Sequence, residues 1–556
     1  MPPEVTITVR RRARTRQPKV SQPEPDYLQL YERAEKLQAN GKHEAALEQL
    51  EDVLQLKPNF VSALGLRGLS LYASHRYDEA RDEFENLSQC LPDNAEVYCN
   101  LGAAQLALNQ PKAAATSLRR SLALNPNHAA THCNLGLALQ GLDRQKEALA
   151  CFKQAITLKP DYAYALYQHA RLSAVWDNTE IALRDYERAI TLDPDSALFY
   201  FSKSLLLISL GHFHEGWALY DWRLRAMSEG YPRLHRQPLW EAHTPMEALA
   251  GKTLFVRCEQ GLGDQIQSVR YVLLLAEAGV HVLLEVRLPL LDLMRTLADA
   301  TRRVHIVLTN DPLPHFDYYC WVMSLPHLTR HEPNVPPLKT PYLFSSADKQ
   351  SDWIERLGPR SRPRIGLVWS GSTTNPGDKY RSMKLSQLRP LLELPCEFHA
   401  LHNEIRPEDE ALLDYFPNLR VHCTVLKDFS DAAALIEQMD LVIAVETAAA
   451  HLAAAMHKPV WLLLSRELAL HFRWTRWQLH TIWYDSVRLW WQPAPTVKNT
   501  GGGDTDEDHD DGGIQGSWEP LVTDVVAELR RLYPAPSAWV RICAWLQRCL
   551  SRRTAS

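Results

Sequence analysis

The stretch AEVYCNLGAAQLALNQPKAAATSLRRSLALNPNH, residues 95–128, decides the N-terminal fold, because its landmarks recur on both sides at a fixed interval. Its Pro126 falls in a series with Pro58, Pro92, Pro160 and Pro194, each 34 residues from the next. Twelve residues before each proline stands an alanine: Ala46, Ala80, Ala114, Ala148 and Ala182. Twenty-four before it stands a small residue, Ala34, Gly68, Gly102, Gly136 or Ala170. Eight before it stands a bulky one, Leu50, Phe84, Leu118, Phe152 or Tyr186. The turn column reads Gly41, His75, Asn109, Asp143, Asp177 and, in a sixth unit without its proline, Gly211. Small residues where two helices touch, bulky ones to fill the space between successive pairs and a breaker at the end describe a repeated helix–turn–helix unit.

This pattern resembles the tetratricopeptide repeat, and it covers residues 26–230 as five full units and a degenerate sixth. That sixth unit, ending in Glu215-Gly216-Trp217, reads as a cap onto the next domain. A stack of such units is a curved solenoid whose concave face takes up an extended peptide. Asn100 and Asn134, both in Cys-Asn-Leu-Gly contexts on first helices, are candidates for binding an acceptor peptide, although asparagine is common at this column of such repeats.

The chain has 556 residues, too many for one core. With 61 Lys+Arg against 66 Asp+Glu the net charge is −5, so no overall field recruits nucleic acid. Ten cysteines without a Cys-x-x-Cys pair argue against a zinc site and a disulfide framework, and for a reducing compartment. Residues 1–25 carry Arg10, Arg11, Arg12, Arg14 and Arg16 without a following apolar run, and read as a disordered basic arm. No stretch approaches the ~18 apolar residues of a membrane span. The expectation is a cytoplasmic protein, peripheral at most to the inner membrane. At the C-terminus Trp539, Ile542, Cys543, Leu546, Cys549 and Leu550 fall at helical spacing beside arginines, which reads first as a helix docked on the neighbouring domain and alternatively as the membrane contact.

After Pro232, Pro238 and Pro245 the pattern becomes α/β. Strands are expected at 253–257, 280–286 and 304–308, with helices at 264–277 and 288–299. Beyond the Pro-rich stretch 326–341, a second series places strands at 364–369, 397–401, 440–445 and 459–464, and helices at 385–394, 431–438 and 447–456. The fold class is therefore α + α/β: a repeat solenoid followed by two Rossmann-like lobes, at 250–345 and 360–498. An acidic Gly-rich insertion at 499–516 and C-terminal helices at 517–556 complete the chain. Ligands of such sheets sit at the carboxyl ends of strands.

Two loops at strand ends carry the chemistry. Glu259-Gln260-Gly261-Leu262-Gly263-Asp264 follows the first strand, and its glycines let a ligand approach the backbone. Asp264 either faces the cleft or caps its helix. Glu446-Thr447-Ala448-Ala449-Ala450-His451 runs from a strand into a helix of small residues, whose open N–H groups suit a diphosphate. Glu446 suits sugar hydroxyls or the helix dipole, and His451 is a ligand contact or a packed core residue.

Together these loops resemble the heptosyltransferase-type glycosyltransferases, of the ADP-heptose:lipopolysaccharide kind, over about residues 250–495. Gly216-Trp217 through Asp221-Trp222-Arg223 and Gly366-Leu367-Val368-Trp369-Ser370-Gly371 are similar to bacterial proteins that join repeats to such a transferase. In that family the first loop supplies a catalytic aspartate, here Asp264, and the second, Asp-Thr-Gly-x-x-His, binds the nucleotide sugar. Here Glu446 replaces the aspartate and Ala448 the glycine.

The resemblance implies a GT-B fold and an inverting, metal-independent transfer from a nucleotide sugar, with no cofactor. It assigns donor contacts to Gly261, Gly263, Ser370, Gly371, Glu446, Thr447, Ala448, Ala449 and His451. A phosphate-neutralising cation follows at Arg381 or, second, Lys379, the latter otherwise a solvent-exposed lysine. His402, at a strand end, is placed near the nucleobase. The acceptor is a protein recruited by the repeats or, alternatively, a lipid-linked or polysaccharide glycan. A competing class is a non-catalytic interaction scaffold with degenerate lobes. The sugar and the base of the nucleotide stay open.

Overall fold

The computed structural model describes residues 26–176, 178–226, 236–330, 340–375, 377–466, 473–474, 478–493 and 517–534. The basic arm, the acidic insertion and the helical spacing after residue 534 lie outside them. The described chain divides at Phe199/Tyr200 into two compact units.

The first unit is an array of antiparallel helix pairs, from Asp26–Ala39 with His43–Leu56 through Ala163–Val175 with Thr179–Leu192. The two columns read from the sequence meet each other. A Cβ on Gly68 would lie 2.8 Å from the Phe84 ring, one on Gly102 2.5 Å from Leu118 Cγ, and one on Gly136 2.6 Å from the Phe152 ring. The bulky column therefore fills the space inside each pair, against that pair's own small residue, rather than only between successive pairs. The turn column has a backbone reason too: Gly41, His75, Asn109 and Asp143 all have φ between 56° and 72°, the left-handed region that reverses a helix. Asp177 is outside the described residues.

The second unit holds two fully parallel sheets. The first has order β3-β2-β1-β4, from β1 (Thr253–Arg257), β2 (His281–Val286), β3 (Val304–Leu308) and β4 (Tyr318–Trp321). The second has order β10-β9-β8-β5-β6-β7, from β5 (Arg364–Val368), β6 (Glu397–Ala400), β7 (Leu419–Val421), β8 (Leu441–Val445), β9 (Val460–Leu464) and β10 (Val487–Trp491). In each, the first strand lies inside the sheet and the order reverses beside it, between β1 and β4 and between β5 and β8. Such reversals leave a crevice at the strand ends. The strands β4, β7 and β10 are additional to those expected. The helix expected at 264–277 starts earlier and breaks at Val269 into Leu262–Ser268 and Arg270–Glu277.

The sixth, proline-less helix pair packs on the α/β lobes from Tyr200 onward. Trp217 and Phe213 both set their ring edges against Trp483, at 6.2 Å between centroids. Arg223 is fully buried and clamps Glu259, with Nε–Oε2 3.0 Å, while Glu259 Oε1 also accepts from Met323 N–H at 3.0 Å. The Asp221-Trp222-Arg223 segment thus fixes the root of the loop that carries Asp264.

Two substitutions in the repeats should move stability in opposite directions. Gly136→Val forces a branched side chain onto Phe152 and should cost about 1–3 kcal/mol. Gly65, mid-helix with nothing within 4 Å of a Cβ, should gain about 0.5–1 kcal/mol on replacement by alanine. Denaturant midpoints of the repeat transition check both; equal midpoints would contradict the packing described.

Candidate functional site

Both motif loops open on one cleft of about 1380 Å³ in the second unit. Of the residues singled out in the sequence, Gly261, Gly263, Asp264, Ser370, Gly371, Arg381, His402, Glu446, Thr447, Ala448, Ala449 and His451 line it. Lys379 does not. Its ammonium lies 4.5 Å over the Tyr380 ring, on an exposed side chain. Asn100 and Asn134 belong to the first unit and are packed inside it, 8% and 0% exposed, with Asn134 Nδ2 directed at Cys99 Sγ at 3.8 Å.

The two loops touch. Helix Leu262–Ser268 packs on helix Ala448–Ala455, and a Cβ on Gly263 would lie 2.9 Å from His451 Cδ2 and 3.4 Å from Ala448 Cα. Gly263 is therefore needed for close approach of the lobes. Asp264, third residue of its helix, does cap it: Oδ2 accepts from Gly261 N–H at 2.8 Å. Its other oxygen meets the Arg473 guanidinium, so the capping and cleft readings hold together. Gln260, at φ 57°, bonds Tyr220 through Nε2–Oη at 2.9 Å.

Opposite, Thr447 precedes helix Ala448–Ala455 without capping it, its hydroxyl donating instead to Val445 O at 3.2 Å. The first turn of that helix thus borders the cleft at Ala448 and Ala449 without a side-chain cap from Thr447. Glu446, 5% exposed, accepts from Arg381 Nη1 at 3.1 Å, and its carbonyl accepts from the same nitrogen at 3.0 Å. The glycine at 371 is what admits Arg381: a Cβ there would lie 2.4 Å from Nη2. Glu446 Oε1 is 3.6 Å from His451 Nε2 and 3.8 Å from Arg473 Nη1. His451 Nδ1 bonds Tyr484 Oη at 3.1 Å and its ring stacks on Trp474, so it is a packed histidine at the edge of the site.

The loop after β5 is tied at its base. Arg406 bonds Asp378, Gly371 O at 3.0 Å and Ser382 Oγ at 3.3 Å. Ser370 N–H donates to His402 Nε2 at 3.3 Å, and the His402 ring lies 4.0 Å from that of Trp369. A backbone N–H only donates, so Nε2 accepts and the imidazole is neutral. Burial pushes its pKa down to about 4.

Sequence reasoning missed Arg473, Arg406 and the Arg223 clamp. Arg473-Trp474 follows β9 in an aromatic and basic run whose composition was the available signal. Among the described residues no group of three His, Cys, Asp or Glu is placed to hold a metal ion, and no helix is long and apolar enough to cross a membrane.

Tetratricopeptide-repeat models match residues 31–95, 95–128 and 129–162. Protein FlbA of Caulobacter vibrioides is 24% identical over 332 residues, 54% of each chain, so the chain spans about half the length of the curated relative it matches. Solved structures similar to the repeats include the thermophilic TPR protein TTC0263 of Thermus thermophilus (22% identity, 33% of this chain and 99% of that one, TM-score 0.30). Another is YrrB, a TPR protein with an unusual peptide-binding site (28% identity, 32% and 92%, TM-score 0.27). The N-terminal array is thus one of tetratricopeptide repeats, and the two parallel lobes behind it are compatible with a GT-B fold.

Two outcomes check this geometry. Arg223→Leu leaves Glu259 buried and unpaired, which should cost about 3–5 kcal/mol and lower the melting temperature of the second unit; an unchanged melt would contradict the clamp. His402 is about 2.5 pH units below its unfolded value of 6.5, so its contribution is complete above about pH 6.5 and lost as pH falls toward 4. His402→Asn keeps an acceptor for Ser370 N–H but does not titrate. Its melting temperature should fall less between pH 7 and 5 than that of the unsubstituted protein; equal falls would contradict the buried neutral imidazole.

Proposed function

We propose that the second unit is a glycosyltransferase that moves a sugar from a nucleotide diphosphate donor to an acceptor, with a protein engaged by the repeats as the acceptor. The observation that carries this reading is the shared cleft: a carboxylate at Asp264 and a helix start at Thr447–Ala449 that Thr447 does not cap border one cavity. Its volume exceeds the about 300–1,000 Å³ of a drug-sized ligand's pocket and leaves room for a nucleotide sugar.

In this reading the diphosphate sits on the N–H groups of Ala448–Ala450, where the helix dipole and Arg381 stabilise negative charge. Glu446 orients the sugar hydroxyls. Ser370, at the switch point of the second sheet, and His402, just after β6, border the nucleoside. The acceptor hydroxyl oxygen attacks the anomeric carbon as the bond from that carbon to the diphosphate oxygen breaks, and the bonding pair leaves with the phosphate. The hydroxyl proton goes to Asp264, a positioned base of the kind worth about 10²–10⁴-fold. Attack from the face opposite the leaving group inverts the anomeric configuration. No metal is needed for these steps, since the cations are side chains.

Purified protein titrated with UDP-, GDP- and ADP-sugars should bind one of them and hydrolyse it slowly. Asp264→Asn should lower hydrolysis at least about 100-fold without abolishing binding. Binding of none would favour an interaction scaffold.

A further inference from the structure

The transfer just described asks Asp264 to take a proton, yet both its carboxylate oxygens are held, one by Gly261 N–H at 2.8 Å and the other by Arg473. A carboxylate whose oxygens are engaged by a backbone N–H and a guanidinium is not free to take an acceptor's proton. The same guanidinium lies 3.8 Å from Glu446, which Arg381 holds from its other side at 3.1 Å. Asp264, Arg473, Glu446 and Arg381 therefore alternate in sign along the cleft, and their formal charges cancel. Asp264, Arg473 and Glu446 are 8%, 6% and 5% exposed, so water screens this row little.

A diphosphate arriving at Ala448–Ala450 brings negative charge beside Glu446 into a row that is already neutral. Arg287, Arg406 and Lys427 also line the cleft; within the row itself, the new charge is met when one guanidinium changes partner. Arg381 is anchored by the Glu446 carbonyl, the Glu446 carboxylate and Asp378, and is seated against Gly371. The contacts of Arg473 with Asp264 and Glu446 are charge–charge contacts that phosphate oxygens can replace. Burial lowers the pKa of Arg473 from the usual arginine value, a cost that a closer dianion relieves.

We propose that Arg473 exchanges Asp264 for the donor's diphosphate, so that the cation reaches the leaving group in the same movement that frees the base. This rests on the nucleotide-sugar reading above. Arg473 then touches the reacting phosphate and is a catalytic residue that also makes the order of binding matter: without donor, Asp264 is occupied and no acceptor proton is taken.

A calorimetric double-mutant cycle on the full chain tests it, with the nucleoside diphosphate that the unsubstituted protein binds among UDP, GDP and ADP. Arg473→Gln should weaken that affinity about tenfold while leaving affinity for the matching nucleoside unchanged. Asp264→Asn, whose amide oxygen still accepts from Gly261 N–H, should tighten diphosphate binding several-fold by releasing Arg473 from its ion pair. That gain should vanish in Asp264→Asn/Arg473→Gln. Arg473→Lys, retaining charge without the fork, should fall between. If Arg473→Gln binds the diphosphate normally, or the gain persists in the double variant, the proposal is overturned and the nucleotide-sugar reading stands. If the unsubstituted protein binds no nucleoside diphosphate, both fall.

Discussion

The site depends on one close approach. Gly263 lets helix Leu262–Ser268 lie against helix Ala448–Ala455 with no side chain between them, at a spacing where any Cβ would press on His451. Because the two helices start at the carboxyl ends of β1 and β8, this contact brings the switch points of both parallel sheets onto one cavity. Two independent Rossmann-like lobes become a single site, and a methyl group at position 263 would part them.

Around that contact the polar groups fall into two systems with different work. Arg223, Glu259, Asp221 and Ser324 form a buried network that fastens the sixth helix pair to the root of the β1 loop. Such a network is costly to break once buried, and it holds a loop whose own backbone includes the left-handed Gln260. The second system, Asp264, Arg473, Glu446 and Arg381, faces the cleft. Its members neutralise one another in the structure and are the groups a charged ligand would rearrange.

Much of the fold was legible because it rests on periodicity. The 34-residue columns gave the helix pairs, and the apolar runs gave β1 and β3 to the residue and β2, β5, β6, β8 and β9 to within one residue at either end. The strands that escaped were short or placed at sheet edges. Leu419-Arg420-Val421 has three residues and a single neighbour, β6, while β4 hides in an aromatic run before a proline. The motif residues were legible as loops at strand ends, which is why they share a cleft. Lys379 and Arg381 could not be ranked by composition; the space left by Gly371 separates them. Arg473 was not legible as a site residue, since its place comes from long-range folding after β9.

The central claim is that the helix start at Ala448 and the carboxylate of Asp264 serve one bound nucleotide sugar. A crystal structure with the donor, or with its nucleoside diphosphate, tests this most directly. The account predicts phosphate oxygens within about 3 Å of the N–H groups of residues 448–450, and the Asp264 carboxylate turned toward the sugar. A nucleotide seated elsewhere on the chain, with Asp264 still closed on Arg473 and the cleft empty, would contradict it.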